Sequence, residues 1–200
     1  MADAPILVVV SGPAGAGKTT LAHRLARAVG CPVICRDEIK EGMVHTAGDF
    51  TAGPGDELTR RTFPVFFGVL ELLVRAGVTT VAEAAFQDRV WRQGLEPLGG
   101  LARIRVVHCR VDAEVAFARR LQRNAADPAR RAHEDPDPGD AAAQARRHRE
   151  FDRLALDVPW LEVDTTDGYA PSLEEIAAFA GGAGPAGGDR SGPVPLSSGD

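Results

Sequence analysis

An α/β domain built on a five-stranded parallel sheet, with helices on both faces, is what this 200-residue sequence predicts. Three observations carry that reading. Five short apolar segments recur along the chain, each separated from the next by helical patterning. The first of them, "PILVVV", is an unbroken apolar run, as a strand buried on both faces requires. The composition, 44% apolar and 26% charged, is that of a globular chain long enough to bury a proper core.

After this first strand, residues 19–29 form an amphipathic pattern that stops at Gly30. "PVIC" is the second strand. From Asp37 a helix begins and then dissolves into the Gly-rich loop "HTAGDFTAGPGD". Residues 57–76 are a long apolar helix containing Pro64, and "VTTVAEA" is the third strand. "DRVWRQGLEPL" is a short helix and "RIRVVHCRV" the fourth strand. Residues 112–126 are a helix capped by Asp112, and "DPARRAHEDPDPGD" is a loop. Residues 140–154 read as another helix, "WLEVDTT" as the fifth strand, and "SLEEIAAFA" as a last helix capped by Ser172. Beyond it Gly, Pro, Ser and Asp dominate, so residues 182–200 are expected to form a disordered tail behind a domain of residues 1–181.

The charge of −5 argues against a protein whose main task is gripping a nucleic-acid backbone. No stretch reaches the ~18 apolar residues of a membrane span, and no signal peptide is visible. The three cysteines, Cys31, Cys35 and Cys109, lack metal-ligand spacing and read as small core residues of a reduced, cytoplasmic protein. Of 23 basic residues only Lys18 and Lys40 are lysine. A lysine kept against such a bias marks a place that wants a compact ammonium rather than a planar fork.

"SGPAGAGKTT" fits the pattern G-x-x-x-x-G-K-[ST] from Gly12 to Thr19, between a strand and a helix as that pattern requires. Gly12, Pro13, Ala14, Gly15, Ala16 and Gly17 form a loop whose glycines let backbone N–H groups converge on phosphate oxygens, and Thr20 follows in the helix. The helix start adds partial positive charge, Lys18 reaches the β- and γ-phosphates, and the Thr19 hydroxyl can ligate Mg²⁺. ATP with Mg²⁺ is therefore the expected ligand; whether GTP replaces ATP is open.

The stretch "VICRDEIKEG" turns from apolar to charged at the mouth of the second strand. In open parallel sheets ligands sit beyond the carboxyl ends of the strands, where Asp37 falls. Its carboxylate can accept a proton from a substrate hydroxyl, with Arg36 and Lys40 beside it to hold a substrate group or offset transferred charge. It can equally serve as an N-cap, and the two roles do not exclude each other.

At these residues the chain resembles the small P-loop kinases grouped with polynucleotide kinase, chloramphenicol phosphotransferase and the zeta-toxin kinases. An Arg-Asp-x-x-Arg stretch follows the second strand in polynucleotide kinase, and its Asp deprotonates the acceptor hydroxyl; here it reads Arg36-Asp37-Glu38-Ile39-Lys40, with Lys for the last Arg. The resemblance spans roughly residues 5–180 and implies strand order 2-3-1-4-5 with a mobile lid over about residues 124–145. It implies Asp37 as general base, with Lys18, Arg36, Lys40 and Arg123 as its catalytic company. Glu83 stands where the family usually carries Asp, and is expected to serve Mg²⁺ or a substrate hydroxyl together with Thr19. Related kinases use an Arg-x-x-x-Arg pair after the fourth strand, here Arg119 and Arg123, for adenine and phosphates. Thr165, after the fifth strand, is expected near adenine.

The expected reaction is transfer of a γ-phosphoryl group from ATP to a hydroxyl of a small molecule, by a monomer or homodimer without a membrane partner. A nucleic-acid 5′-hydroxyl kinase and a non-catalytic ATP-binding regulator are the alternatives. Phe63, Phe66 and Phe67 sit where they can frame an acceptor, although at helical spacing they read first as core. Gln87, Arg89 and His133 are weaker candidates.

Overall fold

β1 (Ile6–Ser11) is buried along its whole length, because it has a parallel strand on each side and a helical layer on each face. Its alternation divides the interior in two. Val8 and Val10 pack with Leu21, Leu25, Ile176 and Phe179, whereas Leu7 and Val9 pack with Phe66, Leu70, Trp91 and Leu95. Each such side chain fully removed from water contributes about 1.5–3 kcal/mol before entropy is counted. The computed structural model describes residues 4–46, 50–53, 55–126, 133 and 141–182.

The chain runs β1, α1 (Lys18–Val29), β2 (Val33–Cys35), α2 (Arg36–Thr46), α3 (Glu57–Arg75), β3 (Thr80–Glu83) and α4 (Asp88–Leu95). A 3₁₀ turn at Glu96–Gly100 leads to β4 (Arg103–Arg110), α5 (Ala113–Ala126), α6 (Ala141–Arg149), β5 (Trp160–Asp164) and α7 (Leu173–Ala180). The strands are parallel in the expected order β2-β3-β1-β4-β5. Among the described residues no helix is long and apolar enough to cross a membrane.

The caps follow from chemistry legible in the sequence. Ser172 accepts from Glu175 N while the Glu175 carboxylate accepts from Ser172 N, a reciprocal capping box. Asp112 accepts from Glu114 N at 2.8 Å at the start of α5. Asp56, the last residue of the Gly-rich loop, accepts from Thr59 N at 2.7 Å and caps the start of α3.

Several boundaries differ from expectation, three of them near the site or with a visible cause. α6 stops at Arg149 instead of running to residue 154. The chain beyond it spends its polar groups on α4: Ala155 N donates to Asp88 Oδ1 at 2.8 Å, Arg92 Nη2 donates to Ala155 O at 3.0 Å, and Asp88 N donates to Asp152 O at 3.2 Å. Tertiary pairing thereby takes groups that a continued helix would need. α4 tightens into the 3₁₀ turn at Glu96, with Pro97 at its start. α2 begins at Arg36, one residue earlier than its charge pattern suggests, so Asp37 lies inside the first turn. The expected lid falls mostly, and the expected tail almost entirely, outside the described residues.

Register brings the site together. Val10 and Cys35 both pair with Glu83. The loop after β1, the first turn of α2 and the end of β3 therefore meet at one edge of the sheet.

Candidate active site

The loop between β1 and α1 has a shape that only glycine permits at its tightest points. Gly15 has φ +82°, and a Cβ there would lie 2.4 Å from Ala116 O. Gly12 has φ +144°, and its Cβ would lie 2.5 Å from Cys109 O. The N-cap of α1 is Gly17, which brings no side chain, so the first N–H groups of the helix remain for an anion. Lys18 Nζ donates to Pro13 O at 3.0 Å, laying the ammonium across the cradle. Gly15→Ala is expected to cost about 1–3 kcal/mol through strain and clash. A melting temperature and nucleotide affinity both equal to wild type would contradict this geometry.

At the opposite wall Thr19 Oγ1 donates to Glu83 Oε2 at 3.1 Å. Glu83 is buried, and burial raises its carboxyl above the ordinary range; Asp37 and Glu38 add to this, against Lys18 and the Thr19 hydroxyl. Two hard oxygens converging beside a phosphate cradle fit Mg²⁺, which prefers such donors and retains several waters.

Asp37 is half exposed, and Arg36 Nη1 donates to its Oδ1 at 2.9 Å. Burial of its polar end acts to raise the carboxyl, but His133, Arg36 and Lys18 outweigh it and hold it below its ordinary value. Asp37 is therefore ionised at neutral pH. Among the described residues, the Nε of Arg36 is buried without a hydrogen-bond partner.

Ala14, Gly15, Gly17, Lys18, Thr19 and Thr20 line one cleft with Arg36, Asp37 and Glu83. Its remaining lining is Ala85, Trp91, Arg120, Arg123 and His133. Arg120 and Arg123 are the arginines of α5 in this lining, and Arg119 Nη1 lies 4.0 Å from the Cβ position at Gly17. Spacing alone could have offered this pair, because positions three apart also share a helix face. His133 reaches across to Glu41, with Nε2 2.9 Å from Oε1, a contact that no local pattern announces.

Other candidates have structural partners. Arg119 Nη2 donates to Thr165 O at 2.8 Å and Thr166 O at 3.0 Å, tying α5 to the loop after β5. The Thr165 hydroxyl is buried and bonds Ala16 O at 3.0 Å, bracing the cradle from behind. Pro13 and Ala16 are buried in the same loop. Gln87 is the N-cap of α4, and Arg89 is exposed near Asp152. Phe66 is fully buried core, while Phe63 and Phe67 are partly buried against Trp91.

Lys40 does not line the cleft. Its ammonium is buried and donates to Asp56 Oδ2 at 2.7 Å, so it ties α2 to the cap of α3. Burial acts to raise Asp56, but Lys40 and the Thr59 N–H and hydroxyl outweigh it and hold it to about 2. A depressed carboxyl stabilises the fold above its unfolded value, and that stability is lost as pH falls from about 4 toward 2. Lys40→Met leaves the partly buried Asp56 carboxylate without its cation, expected to cost about 1–3 kcal/mol or roughly 2–12 °C. An unchanged melting temperature at pH 7 would show that the pair contributes nothing.

Parallel strands in this order, a glycine cradle opening α1 and a charged cleft beyond the strand ends define the P-loop kinase fold. The chain belongs to the AAA domain family, whose model matches residues 7–154. It is similar in structure to a candidate kinase of Chloroflexus aurantiacus j-10-fl, at 22% identity and a TM-score of 0.78, over 88% of this chain and 97% of that one. A gluconokinase of Sinorhizobium meliloti 1021 shares the fold at 21% identity and a TM-score of 0.53, covering 90% and 93% of the two chains. A chain of the Pnkp1/Rnl/Hen1 RNA repair complex does so at 16% identity and a TM-score of 0.57, covering 80% of this chain and 52% of that one. No curated protein matches the sequence.

Proposed function

We propose that this protein transfers the γ-phosphoryl group of ATP to a hydroxyl of a small molecule. The observation that carries the reading is a single cleft in which the Lys18 cradle, the Thr19–Glu83 pair and an ionised Asp37 face one another. The acceptor oxygen attacks the γ-phosphorus, the bond to the β–γ bridging oxygen breaks, and the acceptor proton passes to the Asp37 carboxylate. Lys18 and the N–H groups of the loop hold the phosphates in line. Thr19 and Glu83 would hold Mg²⁺, which when bound would offset charge on the phosphate oxygens.

Arg120 and Arg123 face the same space and favour the charge that accumulates during transfer. Arg36 orients Asp37 and lines the same cleft, where its guanidinium can meet an acceptor oxygen. Trp91, packed among Phe63 and Phe67, gives the acceptor end an aromatic wall.

A second reading rests on one comparison, the chain of the RNA repair complex. It makes the acceptor a nucleic-acid 5′-hydroxyl, and the charge of −5 weighs against it. Following ADP release against nucleosides, sugars, aminoglycosides, amphenicols and oligonucleotides separates the two. Turnover dependent on a small hydroxyl compound supports the first reading; turnover with oligonucleotides alone supports the second. ADP release indifferent to every acceptor would overturn both.

A further inference from the structure

His23 on α1, Cys35 at the end of β2 and Glu38 in the first turn of α2 converge beside the cleft, outside its lining. His23 Nε2 lies 2.6 Å from Glu38 Oε1 and 3.8 Å from Cys35 Sγ. One ligand atom from each residue lies within 4.8 Å of the other two. The proposed phosphoryl transfer uses none of the three. We propose that these side chains form a binding site for a zinc ion.

An imidazole nitrogen, a thiolate sulfur and a carboxylate oxygen are the ligand types that zinc takes, at about 2.0–2.3 Å. A tetrahedron with such bonds spaces its ligand atoms roughly 3.3–3.7 Å apart. The His23–Cys35 spacing meets this almost as it stands. The His23–Glu38 contact opens by less than about 1 Å as it changes from a hydrogen bond to a shared ion. Both side chains can make that move, being 39% and 47% exposed. The same exposure leaves the fourth position to water, so the site is of the open, three-ligand kind. The hard, oxygen-seeking cations proposed for Thr19 and Glu83 are poorly served by sulfur and nitrogen, so the two sites sort their metals by donor type.

Cys35 is buried, and its thiol is pushed well up, first by burial and then by Glu83 and Glu38. Binding releases the thiol proton to solvent, and the ion offsets the Glu38 charge that opposes that release. The three ligands come from three elements. A bound ion therefore clamps α1, which carries Lys18 and Thr19, to the first turn of α2, which carries Asp37. An ion bound to the folded state alone also raises stability by mass action.

The test uses the full chain stripped of metal, with Co²⁺ as spectroscopic probe and Zn²⁺ as competitor. One equivalent of Co²⁺ is expected to give a thiolate-to-cobalt charge-transfer band that Zn²⁺ abolishes, and Zn²⁺ alone to raise the melting temperature. Cys35→Ser is expected to lose the band. His23→Gln and Glu38→Gln are expected to weaken binding by no less than the roughly 10–100-fold that outer partners of a metal site provide. Both alter exposed side chains, so they keep the test decisive if Cys35→Ser folds poorly. No band at one equivalent, a band kept in folded Cys35→Ser, or unchanged affinity in the two glutamine variants would overturn the site. None of these readouts involves phosphoryl transfer, so this proposal and the kinase reading fail or stand separately.

Discussion

Lys18→Ala is expected to lower phosphoryl transfer by roughly 10²–10³-fold, about 2.7–4 kcal/mol of barrier. Lys18 Nζ rests on Pro13 O at 3.0 Å, inside the ring of N–H groups that would hold the phosphates. Charge moves toward the β–γ bridging oxygen as the bond to the γ-phosphorus breaks, and an ammonium fixed there acts more strongly on that state than on bound ATP. Folding should be unaffected, because the side chain is only partly buried and its partner is one carbonyl. The measurement is kcat/KM for the best acceptor, with melting temperature as control. A folded variant keeping more than about a tenth of the wild-type rate, a loss below roughly 1.4 kcal/mol, would remove the cradle from the mechanism. Lys18→Arg is expected to rescue little, since a planar fork cannot occupy the space of a point charge.

What could be read from the sequence divides along a physical line. The cradle is contiguous: eight residues, Gly12 to Thr19, running from the end of a strand into the first turn of a helix, carry the glycines, the lysine and the threonine, so local pattern and local geometry are one statement. Strand positions and helix caps were legible for the same reason, since apolar periodicity and Ser172 or Asp112 chemistry act within a few residues. The strand order was instead implied by the family resemblance. Contacts made across the fold were not legible. Lys40 has the residue type and neighbourhood of a site residue, yet its partner Asp56 is sixteen positions away. Thr165, expected near adenine, bonds Ala16 O, 149 positions earlier. Arg119 likewise bonds the backbone after β5, with its Nη1 4.0 Å from the Cβ position at Gly17 in the cradle. The zinc ligands illustrate the same limit: a search for metal spacing fails when His23, Cys35 and Glu38 are brought together by β2 and the two helices beside it.

Asp37→Asn is expected to leave folding and ATP affinity near wild type while turnover falls about 10²–10⁴-fold, the usual size of general-base catalysis. The substitution keeps size and shape, and the amide oxygen can still accept the Arg36 hydrogen bond seen at 2.9 Å. Asp37 lies within the first turn of α2, so the lost negative charge removes a helix-dipole contribution of only about 0.3–1 kcal/mol. What disappears is the proton acceptor. His133, Arg36 and Lys18 hold the Asp37 carboxyl below its ordinary value, so the wild-type base stays ionised across the neutral range. Two protonations remove activity as pH falls, that of Asp37 at its depressed value and, at higher pH, that of Glu83, whose carboxyl is raised and which would hold Mg²⁺. Asp37→Asn isolates the first of these effects because it leaves Thr19 and Glu83 in place. If Asp37 only organises the start of α2, the asparagine variant should melt and phosphorylate much as wild type does. Melting temperature and turnover measured on this one protein therefore decide between support and catalysis, and full activity in a folded variant would end the general-base assignment.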